Sequence, residues 1–200
     1  MNPIKLKQYQ NFLTEEQCKS IISLGERNLE KAGVLGEQYP NFRVGETHFY
    51  NKDFELKALS KIREFVSAKT GIPVENQEPM SLIKYKVGGK FNPHFDSFQP
   101  SADYYESVMK QGGQRIKTCL IYLNEEFDGG ETEFPKMKCK LKPKTGLMVM
   151  WDNTDKNGVI IPESEHAGLP VLSGVKYLVS IWIREKKFEN APQETAEVNN

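Results

Sequence analysis

This chain has few cysteines and no net charge. Its 200 residues include only three cysteines, Cys18, Cys119 and Cys139, which are widely spaced and form no C-x-x-C pair. This spacing argues against a structural zinc site and a disulfide framework, and it suits reduced thiols. Lysine plus arginine and aspartate plus glutamate both number 27, so no net field draws the chain to nucleic acid or to a membrane.

Long apolar runs are also missing. The N-terminal segment MNPIKLKQYQNFL lacks the apolar core of a signal peptide, and no stretch approaches the length of a transmembrane span. We therefore expect a cytoplasmic protein without a membrane partner. The chain shows no internal repeat and no linker, and its length suits one domain.

Helical patterns are confined to the first third of the chain. Thr14 and Gln17 form a capping box before a helical run of apolar residues, and a second helix is predicted over about 53–69. From residue 81 onward, short alternating strands are separated by glycine and proline turns. This order predicts a mainly β fold, a barrel or sandwich with flanking helices.

The same pattern divides the chain into three segments. We expect residues 1–78 to supply supporting helices and first strands of the one domain. Residues 79–184 would form its core. The polar, aperiodic segment 185–200 is predicted to be a disordered tail.

Two of the three histidines belong to one candidate metal site. His94 and Asp96, in the sequence H-F-D, alternate onto one side of an extended segment. His166 would supply a third ligand from a distant strand end. Two imidazoles and one carboxylate leave one face of a metal open, which is typical of non-heme Fe(II) oxygenases, where a co-substrate and O2 bind. An H-x-D alone is a weak signal.

Lys176 lies in the last predicted strand, VKYLVSIWIR, on the same face as Leu178, Ser180 and Trp182. An ammonium group in such an apolar setting needs a partner. The far carboxylate of 2-oxoglutarate, the common co-substrate of Fe(II) oxygenases, would be one. The alternative is a lysine at a strand end that extends to water.

A series of motifs spans about half of the chain, from Ser81 to Trp182. Its members are Tyr85, His94, Asp96, Gly113-Gln114-Arg115, Thr118, Tyr122-Leu123-Asn124, Gly129-Gly130-Glu131-Thr132-Glu133-Phe134-Pro135, Pro143, Gly146, the segment from Ser164 to Val171, Gly174, Lys176 and Trp182. Their order and spacing are specific only as a set. As a set, they resemble the prolyl 4-hydroxylase-type family of 2-oxoglutarate- and Fe(II)-dependent dioxygenases.

The resemblance implies a double-stranded β-helix, a jelly-roll or cupin-like core, with the metal at its open mouth. It implies that His94, Asp96 and His166 bind Fe(II), that O2 and 2-oxoglutarate are co-substrates, and that ascorbate is the reductant. It implies a pocket for 2-oxoglutarate, in which Lys176 binds the 5-carboxylate, formed with Tyr85, Tyr122, Thr132 and Trp182. Ordinary core packing is the alternative for the two tyrosines and the tryptophan.

Peptide-binding members of this family close loops over an extended, proline-containing chain, and aromatic surfaces suit such polyproline II segments. Two loops could do so here, 33–50 and 97–111. The predicted substrate contacts are Arg43, Tyr104, Tyr105 and Arg115.

Two further features favour structural explanations. His48 is interpreted as a structural or surface histidine and not as a fourth metal ligand. The lysine row from Lys136 to Lys144 is interpreted as a solvated strand face and not as a patch for anionic substrates.

Three functional hypotheses remain. The first is a dioxygenase that hydroxylates C4 of a prolyl residue in a peptide or protein, releasing succinate and CO2. The second is the same chemistry on a free amino acid or another protein side chain, and the third is a non-enzymatic jelly-roll module that binds a metal or ligand. Neutral charge disfavours a nucleic-acid substrate. The architecture predicts a compact, bacterial- or phage-like enzyme, either a monomer or a small homo-oligomer.

Overall fold

The computed structural model describes residue 4 and residues 6–33 and 41–189. Within them, four α-helices are α1 Glu15–Gly25, α2 Asp53–Ala58, α3 Ser60–Thr70 and α4 Tyr105–Met109. The strands are β1 Lys7–Tyr9, β2 Glu30–Lys31, β3 Arg43–Val44, β4 Glu46–Phe49, β5 Ser81–Tyr85, β6 Lys90–His94, β7 Arg115–Tyr122, β8 Phe127–Gly129, β9 Thr132–Phe134, β10 Cys139–Leu141, β11 Met148–Asp152, β12 His166–Gly168, β13 Val171–Gly174 and β14 Lys176–Arg184.

The helix starts and stops follow local sequence signals. The predicted capping box of α1 is present, because the Thr14 hydroxyl accepts a hydrogen bond from the Gln17 backbone N–H and the Gln17 side chain accepts from that of Thr14. The predicted helix over 53–69 is two helices, which meet at Leu59. That residue has a non-helical ψ of 3° and is buried, so the break lies where the chain packs against the core.

Two antiparallel sheets form the body of the protein. The larger has the order β1-β11-β7-β14-β5-β4-β2, and the smaller has the order β10-β9-β12-β6-β3. Strands β8 and β13 pair separately as a hairpin. The mainly β fold with flanking helices is therefore confirmed, and its two facing antiparallel sheets are those of a jelly roll.

Alternation along the strands of the larger sheet separates two hydrophobic cores. One face packs against the helices, where Ile21 of α1 and Val66 of α3 meet Ile121 and Val179. The other face points toward the smaller sheet, where Tyr122 of β7 packs in a cluster with Phe134 of β9 and others. The candidate site lies in this space between the sheets.

Two local predictions differ from the structure. The row from Lys136 to Lys144, predicted as a strand face, enters a strand only at Cys139, because Pro135–Met137 forms a 3-10 turn and Lys138 takes a φ of 51°. The predicted loop 97–111 contains the short helix α4.

The first residues after β14 make backbone hydrogen bonds. The N–H groups of Glu185, Lys186 and Glu189 donate to carbonyls of Gln114, Gly112 and Gln111. Most of the segment predicted as a disordered tail, 190–200, lies outside the described residues.

None of the helices in the described part of the chain is both long and apolar enough to cross a membrane.

Candidate functional site

The three predicted metal ligands lie together. His94 ends β6 and His166 begins β12, and the two are direct cross-strand partners. Asp96 lies in the bend two residues beyond β6. One ligand atom from each residue lies within 4.8 Å of the others. The Nε2 atoms of His94 and His166 lie 3.7 and 3.6 Å from the two carboxylate oxygens of Asp96.

Hydrogen bonds fix the direction in which each ligand points. His94 Nδ1 lies 2.7 Å from the carbonyl oxygen of Asn92, and His166 Nδ1 lies 2.9 Å from that of Ser164. Because a carbonyl only accepts, Nδ1 carries a proton in both rings, so Nε2 is the nitrogen left to bind a metal. This tautomer suits metal binding through Nε2.

A chain of hydrogen bonds also orients Asp96. The Thr118 hydroxyl donates to the carboxylate at 2.6 Å, and Asn153 Nδ2 donates to the Thr118 oxygen at 2.8 Å. Thr118 and Asn153 are both fully buried, on or next to the central strands of the larger sheet. The carboxylate is therefore held by the rigid part of the fold.

The electrostatics keep the ligand set in a metal-binding form. Burial, followed by the charge of His166, lowers the pKa of His94 to about 3, so its imidazole is neutral at neutral pH. Burial alone would raise the pKa of Asp96. The two histidines and the hydrogen bond from Thr118 outweigh it and hold that pKa below its ordinary value.

A cavity between the sheets, here called the inner cavity, connects these ligands to Lys176. Its lining includes His94, Asp96, His166, Tyr85, Thr132, Lys176, Ser180 and Trp182. Lys176 is only 1% exposed, which excludes the alternative of a lysine that extends to water. Its ammonium donates a 2.6 Å hydrogen bond to the carbonyl of Gly130. Burial lowers the pKa of Lys176 to about 7.

The other residues predicted for this pocket surround Lys176. Its Nζ lies 5.6 Å from the ring centres of both Tyr85 and Tyr122. The Tyr122 hydroxyl donates a 2.7 Å hydrogen bond to Thr132, and burial raises the pKa of Tyr122 to about 12. Tyr85, Thr132 and Trp182 line the inner cavity, whereas Tyr122 packs behind them in the core. Tyr85 therefore belongs to both the core and the cavity lining, whereas Tyr122 belongs to the core.

A second depression, here called the outer groove, opens next to the metal ligands. It shares Arg43, Phe91, His94, Asp96 and Trp182 with the inner cavity. Its other walls are largely aromatic and include Phe49, Phe95, Phe98 and Tyr104.

Three of the four predicted substrate contacts line this groove. They are Arg43, Tyr104 and Arg115. Tyr105 is half-buried in α4 and is not among the lining residues. The Arg115 guanidinium is already paired, with two hydrogen bonds of 2.6 and 2.7 Å to Glu78, and it lies 3.6 Å above the Trp182 ring.

His48 and the lysine row lie apart from the ligand cluster. His48 Nε2 lies 2.9 Å from Glu55. The lysines at 136, 138, 140, 142 and 144 are all exposed, as expected of a solvated surface, but only Lys140 lies on a strand.

The sequence analysis missed Glu78, Asn153 and the carbonyl of Gly130. Glu78 and Asn153 are buried polar residues outside the motifs, and a backbone carbonyl has no sequence signal.

Comparison with known proteins gives a consistent result. The sequence profile of the 2OG-Fe(II) oxygenase superfamily matches residues 80–184. A protein of Acanthamoeba polyphaga mimivirus, named as a candidate prolyl 4-hydroxylase, is 33% identical over 179 residues, which cover 89% of this chain and 73% of that protein. Prolyl 4-hydroxylase 5 of Arabidopsis thaliana is 31% identical over 205 residues, covering 90% of this chain and 68% of the relative.

A solved structure is similar over almost the whole described chain. It is the viral collagen prolyl hydroxylase from Paramecium Bursaria Chlorella virus-1, in complex with 2OG. The TM-score is 0.68 at 27% sequence identity, and the match covers 90% of this chain and 95% of that one.

Proposed function

Because this chain belongs to the prolyl 4-hydroxylase-type family of the 2OG-Fe(II) oxygenase superfamily, we propose that it hydroxylates C4 of a prolyl residue in a peptide or protein. The enzyme is a 2-oxoglutarate- and Fe(II)-dependent dioxygenase, with succinate and CO2 as co-products. One observation carries the proposal: an inner cavity with a buried cation and a groove with aromatic walls meet at one cluster of ligand atoms.

The donor set of the cluster fits Fe(II). Two neutral imidazole nitrogens and one carboxylate are the ligands that non-heme Fe(II) oxygenases use, and this set leaves coordination positions for co-substrate and O2. We assign His94, Asp96 and His166 to the metal. Both histidines engage a backbone carbonyl through Nδ1 and leave Nε2 for the metal, and Asp96 is oriented by Thr118.

The inner cavity fits 2-oxoglutarate. A buried ammonium is costly unless an anion pairs with it, and in the described part of the chain the hydrogen-bond partner of Lys176 is only a neutral carbonyl. The 5-carboxylate of 2-oxoglutarate would supply the missing charge. Thr132 and Tyr85 line the same cavity, and the Thr132 hydroxyl can contribute a second polar contact.

The outer groove fits an extended peptide. Its aromatic walls suit the flat faces of proline rings in a polyproline II segment, whose backbone is already extended before it binds. The relatives named above are prolyl hydroxylases, which supports proline as the target. A peptide lying there would place its target carbon beside His94 and Asp96, which line the groove.

The residues of the chain have distinct tasks in this reaction. When bound, Fe(II) with 2-oxoglutarate and O2 supplies the oxidant for hydroxylation of an unactivated C–H bond. Lys176 anchors the co-substrate by its far end, and Asp96 and the two histidines hold the metal on rigid strands. The walls of Phe91 and Trp182, which line both cavities, exclude water from the point where they meet.

Turnover assays with purified protein test this function. We expect peptide-stimulated succinate release with Fe(II), ascorbate and 2-oxoglutarate, together with a mass gain of about 16 Da on proline, the mass of the oxygen atom that hydroxylation adds. The isosteric Asp96→Asn removes the anionic ligand and should abolish both signals. Succinate release that proline peptides never stimulate would overturn the substrate, and release that survives in Asp96→Asn would overturn the metal site.

Adding one methyl group at Gly130 should weaken 2-oxoglutarate binding. An added Cβ there would lie 3.2 Å from Lys176 Cδ and 3.0 Å from the Phe127 ring. Gly88 is a matched control, because its φ of 79° resembles the 66° of Gly130 and an added Cβ meets nothing within 4 Å. Both alanine variants should lose about 1–2 kcal/mol of stability to left-handed strain. Only Gly130→Ala should raise KM for 2-oxoglutarate, by roughly tenfold; equal KM values would contradict the assignment.

Binding of 2-oxoglutarate should take up a proton above neutral pH. With a pKa of about 7, Lys176 is charged at lower pH and neutral at higher pH, whereas a bound carboxylate stabilises the charged form. Affinity should therefore fall as the pH rises above about 7, by up to about tenfold per pH unit. Anaerobic calorimetry of the Fe(II)-loaded enzyme in several buffers should find nearly one proton taken up at about pH 8.5 and almost none at about pH 5.5. Equal proton uptake at the two pH values would refute the pairing of Lys176 with the bound carboxylate.

A further inference from the structure

The ring of Phe91 lies flat against the ligand His94. The two ring centres are 3.5 Å apart and the planes differ by only 15°. Residues three apart on a regular strand point to opposite faces, so this contact needs an explanation. It comes from an irregularity in β6. His94 pairs with His166 and Phe91 pairs with Gly168, so three steps along β6 match two along β12.

The extra residue makes a β-bulge, a feature that re-aims side chains beside active sites. The bulge lies at Asn92 and Pro93, and proline is tolerated at bulges because it has no N–H to donate. The Asn92 carbonyl is also the acceptor for His94 Nδ1. The bulge therefore supplies both the hydrogen bond and the stacking ring. Gly168 lies opposite Phe91 in this pairing.

The two histidines differ in how their ring planes are held. His166 is 5% exposed and packs against Trp151 and Phe134, with ring centres 4.9 and 5.7 Å away. His94 lies on β6, which is next to the edge of its sheet, and its side chain is 12% exposed. Its hydrogen bond to Asn92 directs Nδ1, and the His166 ring lies 4.3 Å away on a tilted plane. The Phe91 ring is the one that stacks flat on the imidazole, so it restrains the plane of the ring.

Arg43 supports this arrangement from the neighbouring strand. It is the cross-strand partner of Phe91, and its guanidinium carbon lies 4.9 Å from the centre of the Phe91 ring. Arg43 also donates a 3.3 Å hydrogen bond to the Gly33 carbonyl. A cation over an aromatic face is attracted to it, so Arg43 restrains the Phe91 ring, which in turn restrains His94.

We propose that Phe91 is a positioning residue for the metal ligand His94, and that Arg43 reinforces it. The inference rests on the proposed function, because it assumes that His94 binds the metal. It gives Arg43 a role beyond the substrate contact predicted from sequence. Without the stacked Phe91 ring, the imidazole can rotate, so that its Nε2 no longer points toward the ligand atoms of Asp96 and His166. Metal affinity then falls although every ligand is still present.

Metal binding by the ligand-free protein tests this without relying on turnover. Co(II) affinity is measured by competition with a chelator, together with the visible spectrum of the Co(II) protein. Phe91→Leu should weaken binding by about tenfold, the lower end of the range for groups that orient metal ligands, and should alter the spectrum. Phe91→Tyr, which keeps the stack, should restore both to within about twofold. Arg43→Gln should weaken binding by roughly two- to fivefold.

Phe42→Leu is the matched control, because the Phe42 ring packs on Phe91 in a T-shaped arrangement with ring centres 5.8 Å apart, whereas Phe91 is the ring that stacks on His94. If Phe91→Leu does not fold, Phe91→Met replaces it. Equal Co(II) affinities for the Phe91 and Phe42 variants, with binding lost in His94→Ala, would refute the positioning role of Phe91 and support the metal site. Wild-type affinity in His94→Ala would overturn the metal site itself.

Discussion

Lys176→Met will weaken 2-oxoglutarate binding by about 10²–10⁴-fold, because a carboxylate left buried without its cation costs about 3–5 kcal/mol. The same variant should be more stable than the wild type when no co-substrate is present. The native pKa of Lys176, about 7, lies below the ordinary value of 10.5. The unfolded chain therefore binds more protons between these values, and native stability rises with pH across that window.

Below pH 7 the ligand-free protein carries a buried charge that the Gly130 carbonyl and the nearby charge of Glu131 offset only in part, and methionine removes it. The expected gain is about 1–4 kcal/mol, as when buried charges are replaced by apolar groups of similar size. Urea unfolding at several pH values tests the expected gain in stability, and 2-oxoglutarate affinity measured in parallel tests the expected loss of binding. Lys142→Met, at an exposed lysine, serves as the control. A variant that loses stability and keeps its affinity would show that Lys176 is a structural lysine.

Glu78→Gln will destabilise the protein by about 3–5 kcal/mol, because it leaves two guanidinium groups without their counter-charge. Glu78 is 6% exposed and pairs with Arg115 through both oxygens, and Arg184 Nη1 lies 3.5 Å away. Arg184 is almost fully buried, and burial lowers its pKa to about 10. Without the carboxylate, the guanidinium groups of Arg115 and Arg184 therefore remain in the interior without a neutralising charge.

The control for this prediction is a pair of the same type on the surface. Glu46 bonds Lys86 at 2.7 Å, but the Lys86 side chain is 63% exposed. Glu46→Gln should change the free energy of unfolding by no more than about 0.5 kcal/mol. Urea denaturation of both variants makes the comparison. A similarly small loss of unfolding free energy in both variants would mean that water reaches the ion pair between Glu78 and Arg115.

The ligand cluster could be predicted from sequence because its chemistry is carried by scarce residue types. With three histidines in the chain, His94 and His166 stood out, and Lys176 stood out as a cation among apolar neighbours. The capping box of α1 was predictable because it is local, spanning only Thr14 to Gln17.

What the sequence did not reveal depends on partners that are distant along the chain. Glu78 acquires its role from Arg115 and Arg184, which no spacing rule connects to it. The stack of Phe91 on His94 contradicts strand alternation and exists because the pairing of β6 with β12 is irregular. The pairing register of two strands is a property of the folded sheet, so neither feature has a local pattern.

Cross-strand pairing of His94 with His166 also has a consequence for how the enzyme matures. The two ligands are 72 positions apart, from 94 to 166, and meet only when β6 and β12 pair. Closing so long a loop is a slow, entropically costly step in folding. The proposed metal site is therefore incomplete until β6 and β12 have paired. Iron bound there would favour the folded state, in which the two histidines are together, and would raise the free energy of unfolding.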